Sequence, residues 1–330
     1  MIRRLAQRLM TPAVPARLAA NFRRLPSAGA EELERSLRRH YFTRRIWGHL
    51  DISPEAYLAS EAGRVDLAAH TDLRLTEFRE MLIPWFDAVC GLRDSKILEI
   101  GCGTGASTLA LAEQGAAVTA VDVDGASMQV AKDRLRLHGC EASFLEANAT
   151  DVARLLAGQA FDLVIFFATL EHLTHDERLA AMSGTWSMIP PGSHWAVVET
   201  PNRLWYFDNH TSHLPFYHWL PDDLALQYSR FSPRTPFNEA FAARYGDESL
   251  SFLRHGRGVS YHEFDLAMGD TRDLDVVSSL RSWLSAKNSL RRVVSRVRPT
   301  GRFTAFLRAV GPPIHPGFYE RDLYLIIRKD

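Results

Sequence analysis

Seven consecutive residues, Glu99-Ile100-Gly101-Cys102-Gly103-Thr104-Gly105, carry the most specific chemistry in this chain. They follow the apolar strand pattern Lys96–Ile100 and open a helical pattern over Ala106–Gln114. Glycines at 101, 103 and 105 let the backbone pass close to a ligand and turn sharply into the helix. Such a turn alone serves a structural role about as often as it cradles a nucleotide-like cofactor. Asp122 narrows the choice. It ends the next strand, 17 residues beyond Gly105, where a carboxylate can accept both hydroxyls of a ribose. Two more strand ends, Glu146-Ala147-Asn148-Ala149 and Phe166-Phe167-Ala168-Thr169-Leu170-Glu171-His172, fall at the same carboxyl edge, where open α/β sheets bind ligands.

A second cluster of reactive side chains lies in the stretch from Pro201 to Phe216, where Asp208, His210 and His213 sit among Trp205, Tyr206, Phe207 and Phe216. A hydroxyl acceptor needs a base whose pKa lies near working pH, and histidine is the natural one. His210 or His213, oriented by Asp208, is the candidate catalytic base. His172, just past the fourth strand, is a further catalytic candidate. Equally, Asp208 and the two histidines suit a purely structural task, bonding the backbone of a proline-rich loop. Their ligand types also permit zinc, but no cysteine or further carboxylate joins them and no metal is expected. Tyr261-His262-Glu263 can line an acceptor pocket, or can belong to a half-buried strand.

These residues need a frame to hold them. Short apolar segments at Lys96–Ile100, Ala117–Val121, Ala142–Glu146, Phe161–Phe167 and His194–Glu199 alternate with helical segments at Ala106–Gln114, Ala126–His138 and His175–Met188. That alternation implies a parallel sheet covered on both faces. The expected fold is α/β: a doubly wound, largely parallel seven-stranded sheet with an N-terminal helical segment and an insertion after the fifth strand. The expected divisions are a basic arm and helical lid over 1–92, a cofactor core over 93–200, an acceptor-site insertion over 201–256, and completing strands with a basic helix over 257–330. Apolar spacing predicts helices over Glu31–His49 and Leu73–Val89, a strand over Gly258–Met268, a basic helix over Ser278–Val297 and a last strand over Tyr319–Arg328. Tyr41 and Trp47 belong to the helical lid.

Composition bounds the function. The 330 residues are 46% hydrophobic and 24% charged, enough apolar side chain for a large core. Net charge is zero, which argues against a nucleic-acid partner. Basic residues do cluster in 1–30, with six arginines and no acid, and at Arg281, Lys287, Arg291, Arg292, Arg296 and Arg298. Such segments can touch an anionic membrane, though most are solvated faces. Three cysteines without repeated spacing fit a reducing compartment. The longest largely apolar run, Leu163 to Leu170 with one threonine in it, has eight residues, too few to span a bilayer. The first residues lack the apolar stretch of a signal peptide, and Pro12, Pro15 and Pro26 break an otherwise transit-like composition. A cytoplasmic protein is expected.

At Ile97–Gly105, and again at Phe161-Asp162-Leu163-Val164 and Leu170-Glu171-His172-Leu173, the sequence resembles the class I S-adenosylmethionine (SAM)-dependent methyltransferases. The resemblance covers about residues 95–202. It implies that Gly101, Gly103 and Gly105 wrap the methionine part of SAM and that Glu99 orients the loop. It implies further that Asp122 binds the ribose and Val123 packs on adenine. Asn148 stands where the family usually has Asp, and its carbonyl can accept the same bond from the adenine amine. Cys102, Ala149 and Phe166 complete the expected cofactor-binding set. A nicotinamide dehydrogenase, the main rival, uses G-x-G-x-x-G, whereas the glycines here run G-x-G-x-G before Ala106. The stretch P-N-R-x-W-x-x-D-x-H-T-S-H-L-P is similar to one found in a subgroup of bacterial methyltransferases. The resulting expectation is methyl transfer to a small or medium acceptor, at an oxygen of a saccharide or secondary metabolite. Nitrogen or carbon methylation, an oxidoreductase, and an inactive SAM-binding interaction protein remain alternatives.

Overall fold

Each short apolar segment becomes a strand in the computed structural model, which describes residues 12–43, 53–241, 249–287 and 299–330. The strands are β1 (Lys96–Ile100), β2 (Ala117–Asp122), β3 (Ser143–Glu146), β4 (Leu163–Phe167), β5 (His194–Pro201), β6 (Asp275–Ser279) and β7 (Asp322–Arg328). They form one seven-stranded sheet in the order β3-β2-β1-β4-β5-β7-β6. Strands β1, β2 and β3 pair in parallel, while β7 runs antiparallel to both β5 and β6. The chain divides into two compact units, one of residues 1–149 with 160–164, the other of 150–159 with 165–330.

In the first unit, buried apolar residues of β1 and β2 lie under the helix Ala106–Ala112, most of whose residues are buried. The following helix, Gly125–Leu137, starts at Asp124, whose carboxylate accepts from the N–H of Ala126. Its Val130 packs against Leu33, Leu37, Phe42 and Leu58 of the N-terminal helical segment. That segment comprises the helix Ser27–Ser36, a wider turn at Leu37–Tyr41, and a helical run from Glu61 to Val89. The run widens to five-residue turns at Ala69–Leu73 and Phe78–Leu82. Trp47, expected in the lid, lies outside the described residues, as do Arg3, Arg4 and Arg8.

In the second unit, the insertion builds a small core of its own from Leu214, Tyr217, Ala225, Leu226, Phe237, Phe241 and Phe252. Arg257 is buried against Tyr217 and Phe252 and donates to the carbonyls of Tyr217 and Leu220 and to Asp222. The helix His175–Met188 begins with a reciprocal cap between Thr174 and Glu177.

Two sequence expectations are corrected. Gly258–Met268 is no strand: residues Tyr261–Met268 form a helix. The carboxylate of Glu263 reaches back to accept from the Ser260 N–H at 2.9 Å, and this S-x-x-E signature at a helix start is visible in the sequence. It outweighs the alternation of apolar residues. The basic helix expected over Ser278–Val297 starts with two residues of β6, and a helix follows over Leu280–Lys287. Arg291, Arg292, Arg296 and Arg298 lie outside the described residues. Arg281 bonds Glu320, which also pairs with Arg308 at 3.0 Å.

Candidate functional site

The glycine loop is held open by its own carboxylates. Glu99, on β1 and fully buried, accepts from the hydroxyls of Ser107 and, at 2.6 Å, Thr108. Both donors lie in the first turn of the helix Ala106–Ala112, so Glu99 clamps strand to helix across the loop. Burial pushes its carboxyl up to about 7 despite these bonds. Gly101, Gly103 and Gly105 all have positive φ, at 84°, 49° and 78°. A side chain at Gly105 would meet Ala131 at 2.6 Å, whereas one at Gly103 would meet nothing within 4 Å. Gly105 therefore permits close helix packing, and Gly103 borders open space. Cys102 is buried, its thiol pushed up chiefly by burial.

Asp122 closes the loop from β2. One carboxylate oxygen accepts from the N–H of Gly103 at 2.7 Å and the other from that of Asp124 at 2.9 Å. A carboxylate has about four acceptor sites, so each oxygen keeps capacity for a ribose hydroxyl. Val123 beside it is 71% exposed, an apolar surface suited to a flat ring. Asn148 is half-buried and Ala149 buried just past β3. Phe166 lies fully buried within β4, its ring 5.2 Å from that of Trp195.

A further group supports this loop, and the sequence reading did not foresee it. Thr104 shares a 3.1 Å hydrogen bond with His70 Nδ1, and its carbonyl accepts from Arg134 Nε at 2.8 Å. Arg134, fully buried, also donates to the carbonyls of His70 and Thr71. Burial lowers the Arg134 guanidinium to about 10 and, with the nearby Arg74 and Arg134 charges, drives His70 down to about 3. His70 is thus a neutral imidazole, packed at a tilt of 46° against Tyr41 with ring centres 4.3 Å apart. Its signal in sequence was faint: one histidine in a helical stretch.

The histidine loop is organised differently. Asp208 accepts from the N–H groups of His210, Thr211 and Ser212 at 2.9, 2.9 and 2.6 Å and from the Ser212 hydroxyl at 2.8 Å. It orders backbone and faces one imidazole, that of His218, whose Nε2 lies 3.3 Å from its Oδ1; the side chains of His210 and His213 are not its partners. Burial alone would raise its carboxyl, but the hydrogen bond and charge of His218 and the backbone donors hold it far below the carboxylate range. Asn202 likewise bonds the carbonyls of Phe318 and Glu320 at 2.7 Å and the N–H of Leu204. His213 is exposed, with φ 56°.

His210 is brought instead to Glu171 and His172. Glu171 follows β4, is fully buried, and accepts from the Thr200 hydroxyl at one oxygen, Oε2, at 3.2 Å. Its other oxygen, Oε1, is buried with no hydrogen-bond partner among the described residues. Nε2 of His210 lies 3.8 Å and Nε2 of His172 4.0 Å from Oε1. These separations exceed a hydrogen bond. Burial pushes the Glu171 carboxyl up to about 8, and burial with the charge of His172 lowers His210 to about 4. Both tautomers follow from the partners. His172 Nδ1 faces the Arg254 carbonyl at 2.8 Å and must donate to it. The Thr211 hydroxyl has two carbonyls to donate to, those of His255 and Gly256, so at 3.0 Å it accepts from His210 Nδ1. Each imidazole therefore carries its lone pair on Nε2, toward Glu171. Sequence reasoning named Glu171 as part of a strand end and of the family-like stretch Leu170-Glu171-His172-Leu173, and gave it no role of its own. Its signal was a carboxylate four residues past the last of five apolar strand residues and next to a histidine.

Residues 97–192 match the model of a methyltransferase domain. The ubiquinone biosynthesis O-methyltransferase of Pseudomonas aeruginosa is 33% identical over 129 residues, 39% of this chain and 54% of the relative. That of Aromatoleum aromaticum is also 33% identical over 129 residues, 39% of this chain and 53% of its own. The chain spans about half the length of these curated relatives. Among solved structures, magnesium protoporphyrin IX methyltransferase from Synechocystis PCC 6803 with bound SAM is 18% identical with TM-score 0.37, over 52% of this chain and 77% of that one. Among the described residues no helix is long and apolar enough to cross a membrane. The glycine loop with its Glu99 clamp, the carboxylate ending β2 and the match over 97–192 together mark residues 97–192 as a methyltransferase domain of the SAM-dependent kind.

Proposed function

We propose that the chain methylates a hydroxyl oxygen of a small or medium acceptor, of saccharide or secondary-metabolite type, using SAM bound at the glycine loop. The observation that carries this reading is the trio Glu171, His172 and His210, with two imidazole lone pairs converging on a buried carboxylate oxygen. In the reaction the acceptor oxygen attacks the methyl carbon, the carbon–sulfur bond breaks and S-adenosylhomocysteine leaves. The hydroxyl proton passes to Nε2 of His210, whose side chain is 35% exposed and thus reachable. Alignment of acceptor, methyl and sulfur supplies much of the rate. The names of the relatives, O-methyltransferases, support an oxygen acceptor. Aromatic residues of the insertion, Trp205, Tyr206 and Phe216 among them, supply walls for such a molecule. Three free cysteines support a reducing, cytoplasmic location.

The test is methyl transfer from labelled SAM to a panel of hydroxylated acceptors, with His210→Ala compared at matched S-adenosylhomocysteine affinity. A fall in kcat of about 10²-fold or more is expected, the scale of general-base catalysis. Unchanged kcat with intact cofactor binding would overturn the assigned base. Nitrogen or carbon acceptors turned over in place of alcohols would move the reading to positioning alone, and binding of NAD without SAM would move it to an oxidoreductase.

A further inference from the structure

We propose that Glu171, His172 and His210 hold a divalent transition-metal ion of the zinc class. This deepens the acceptor-site reading above and rests on it for the ion's role, though not for its binding. One oxygen of Glu171 and Nε2 of each histidine lie within 4.8 Å of one another. Both Nε2 atoms are acceptors, because each Nδ1–H is already given to a fixed partner: the Arg254 carbonyl and the Thr211 hydroxyl. Once Glu171 gives up its proton, three lone-pair atoms therefore face one space. One of them, Glu171 Oε1, is fully buried and unpartnered, and burying such an oxygen unpaired costs about 1–3 kcal/mol.

A proton shared by the trio does not resolve this, since 3.8 and 4.0 Å are too long for it to bridge. A cation does. Ligand bonds of ~2.0–2.1 Å at a tetrahedral angle set neighbouring donors about 3.3 Å apart, so a small inward shift of each side chain completes the shell. Two imidazoles and one carboxylate are a ligand set suited to zinc and its neighbours. The outer contacts also fit. Metal-binding histidines commonly donate the second ring N–H to a carbonyl or another oxygen, as both do here, and the second Glu171 oxygen is held by Thr200. The zinc set suggested by sequence spacing, with Asp208 and His213, is different. Asp208 is spent on backbone donors and His213 is exposed.

With three protein ligands, at least one coordination position stays open, as in catalytic zinc sites. An acceptor hydroxyl bound there would have its pKa lowered by the ion's charge, and its proton would leave to water as the oxygen takes the methyl group. The ion and a proton on His210 are thus alternative occupants of the same lone pairs.

The experiment uses the full chain, stripped with a chelator and free of any histidine tag. Zinc is added and counted by elemental mass spectrometry after dialysis, and cobalt(II) is followed by its visible absorption. One ion per chain is expected for the wild type and for His213→Ala. Glu171→Gln and His210→Ala are each expected to weaken binding by more than ~10-fold, the lower bound seen for outer-shell partners alone. His210 is partly exposed, so that variant stays folded even where Glu171→Gln does not. No saturable binding to the wild type, or binding by His210→Ala and His172→Ala as tight as the wild type's, overturns the proposal. Turnover on the same samples separates the two readings. Loss of methylation in His210→Ala with no ion in the wild type sinks the metal and keeps the proton acceptor. An ion bound by the wild type with no alcohol methylated keeps the metal and sinks the acceptor reading.

Discussion

The glycine loop and the histidine loop solve the same problem, holding a ligand-ready surface, by opposite means. In the glycine loop the backbone itself is the surface: positive φ at three glycines and free space beside Gly103. Glu99, Asp122 and Arg134 brace it from behind. In the histidine loop the backbone is the burden. Asp208 and Asn202 commit their polar atoms to folding it, and the proposed chemistry falls to side chains from separate stretches, at Glu171, His172 and His210. A surface made of backbone needs neighbours in sequence. One made of side chains needs only neighbours in space.

Substitutions can break this contrast or sharpen it. The largest effect is expected at Asp208: Asp208→Ala strips four accepted bonds from a buried loop and should cost about 3–5 kcal/mol in urea unfolding. Unchanged stability would mean that the histidine loop folds without its anchor. Next comes Asp122→Ala, which removes the proposed ribose partner and the Gly103 tether; calorimetric titration should show S-adenosylhomocysteine binding weakened ~100-fold or more. Gly105→Ala combines positive φ with a 2.6 Å approach to Ala131, and a stability loss of about 1–3 kcal/mol should appear in thermal melts. His213→Ala, on an exposed side chain, should stay within ~0.5 kcal/mol and leave turnover unchanged.

The His70 support of the glycine loop has a pH signature. Its folded pKa is lowered to about 3, against about 6.5 in the unfolded chain. Between those values the unfolded state binds a proton that the native state does not. Stability contributed at His70 is therefore lost as pH falls from about 6.5, with a slope approaching ~1.4 kcal/mol per pH unit. Melting curves from pH 7.5 to 5 should fall less steeply for His70→Gln than for the wild type. Parallel curves would show that His70 is solvated and does not brace Thr104.

The contrast also explains what was legible beforehand. The strands, the turn and Asp122 could be read because alternation, glycine spacing and strand ends are local patterns. The trio could not, because Glu171 and His210 are 39 residues apart and only folding sets them together. Asp208 was read as a histidine's partner on proximity in sequence, and His210 does use it, but through its backbone N–H. At Tyr261–Met268 the error was one of period: alternating apolar residues suggested a strand, while Ser260 and Glu263 marked a helix start. Arg134 escaped notice since its three partners are carbonyls, which no residue type announces.

The widened turns at Ala69–Leu73 and Phe78–Leu82 bear on the kinds of change this protein tolerates. Each holds roughly one residue more than an ordinary helical turn, and is in effect an insertion absorbed without breaking the helix. One residue corresponds to about 100° of rotation. Deleting a single residue between 78 and 82 would let the helix heal, yet would swing everything before it, His70 included, onto another face. The helix would survive and its aim would be lost. Along this run, then, length is a coded quantity in the same sense as residue identity: point changes on its solvent face are neutral, and shortening it by one is not.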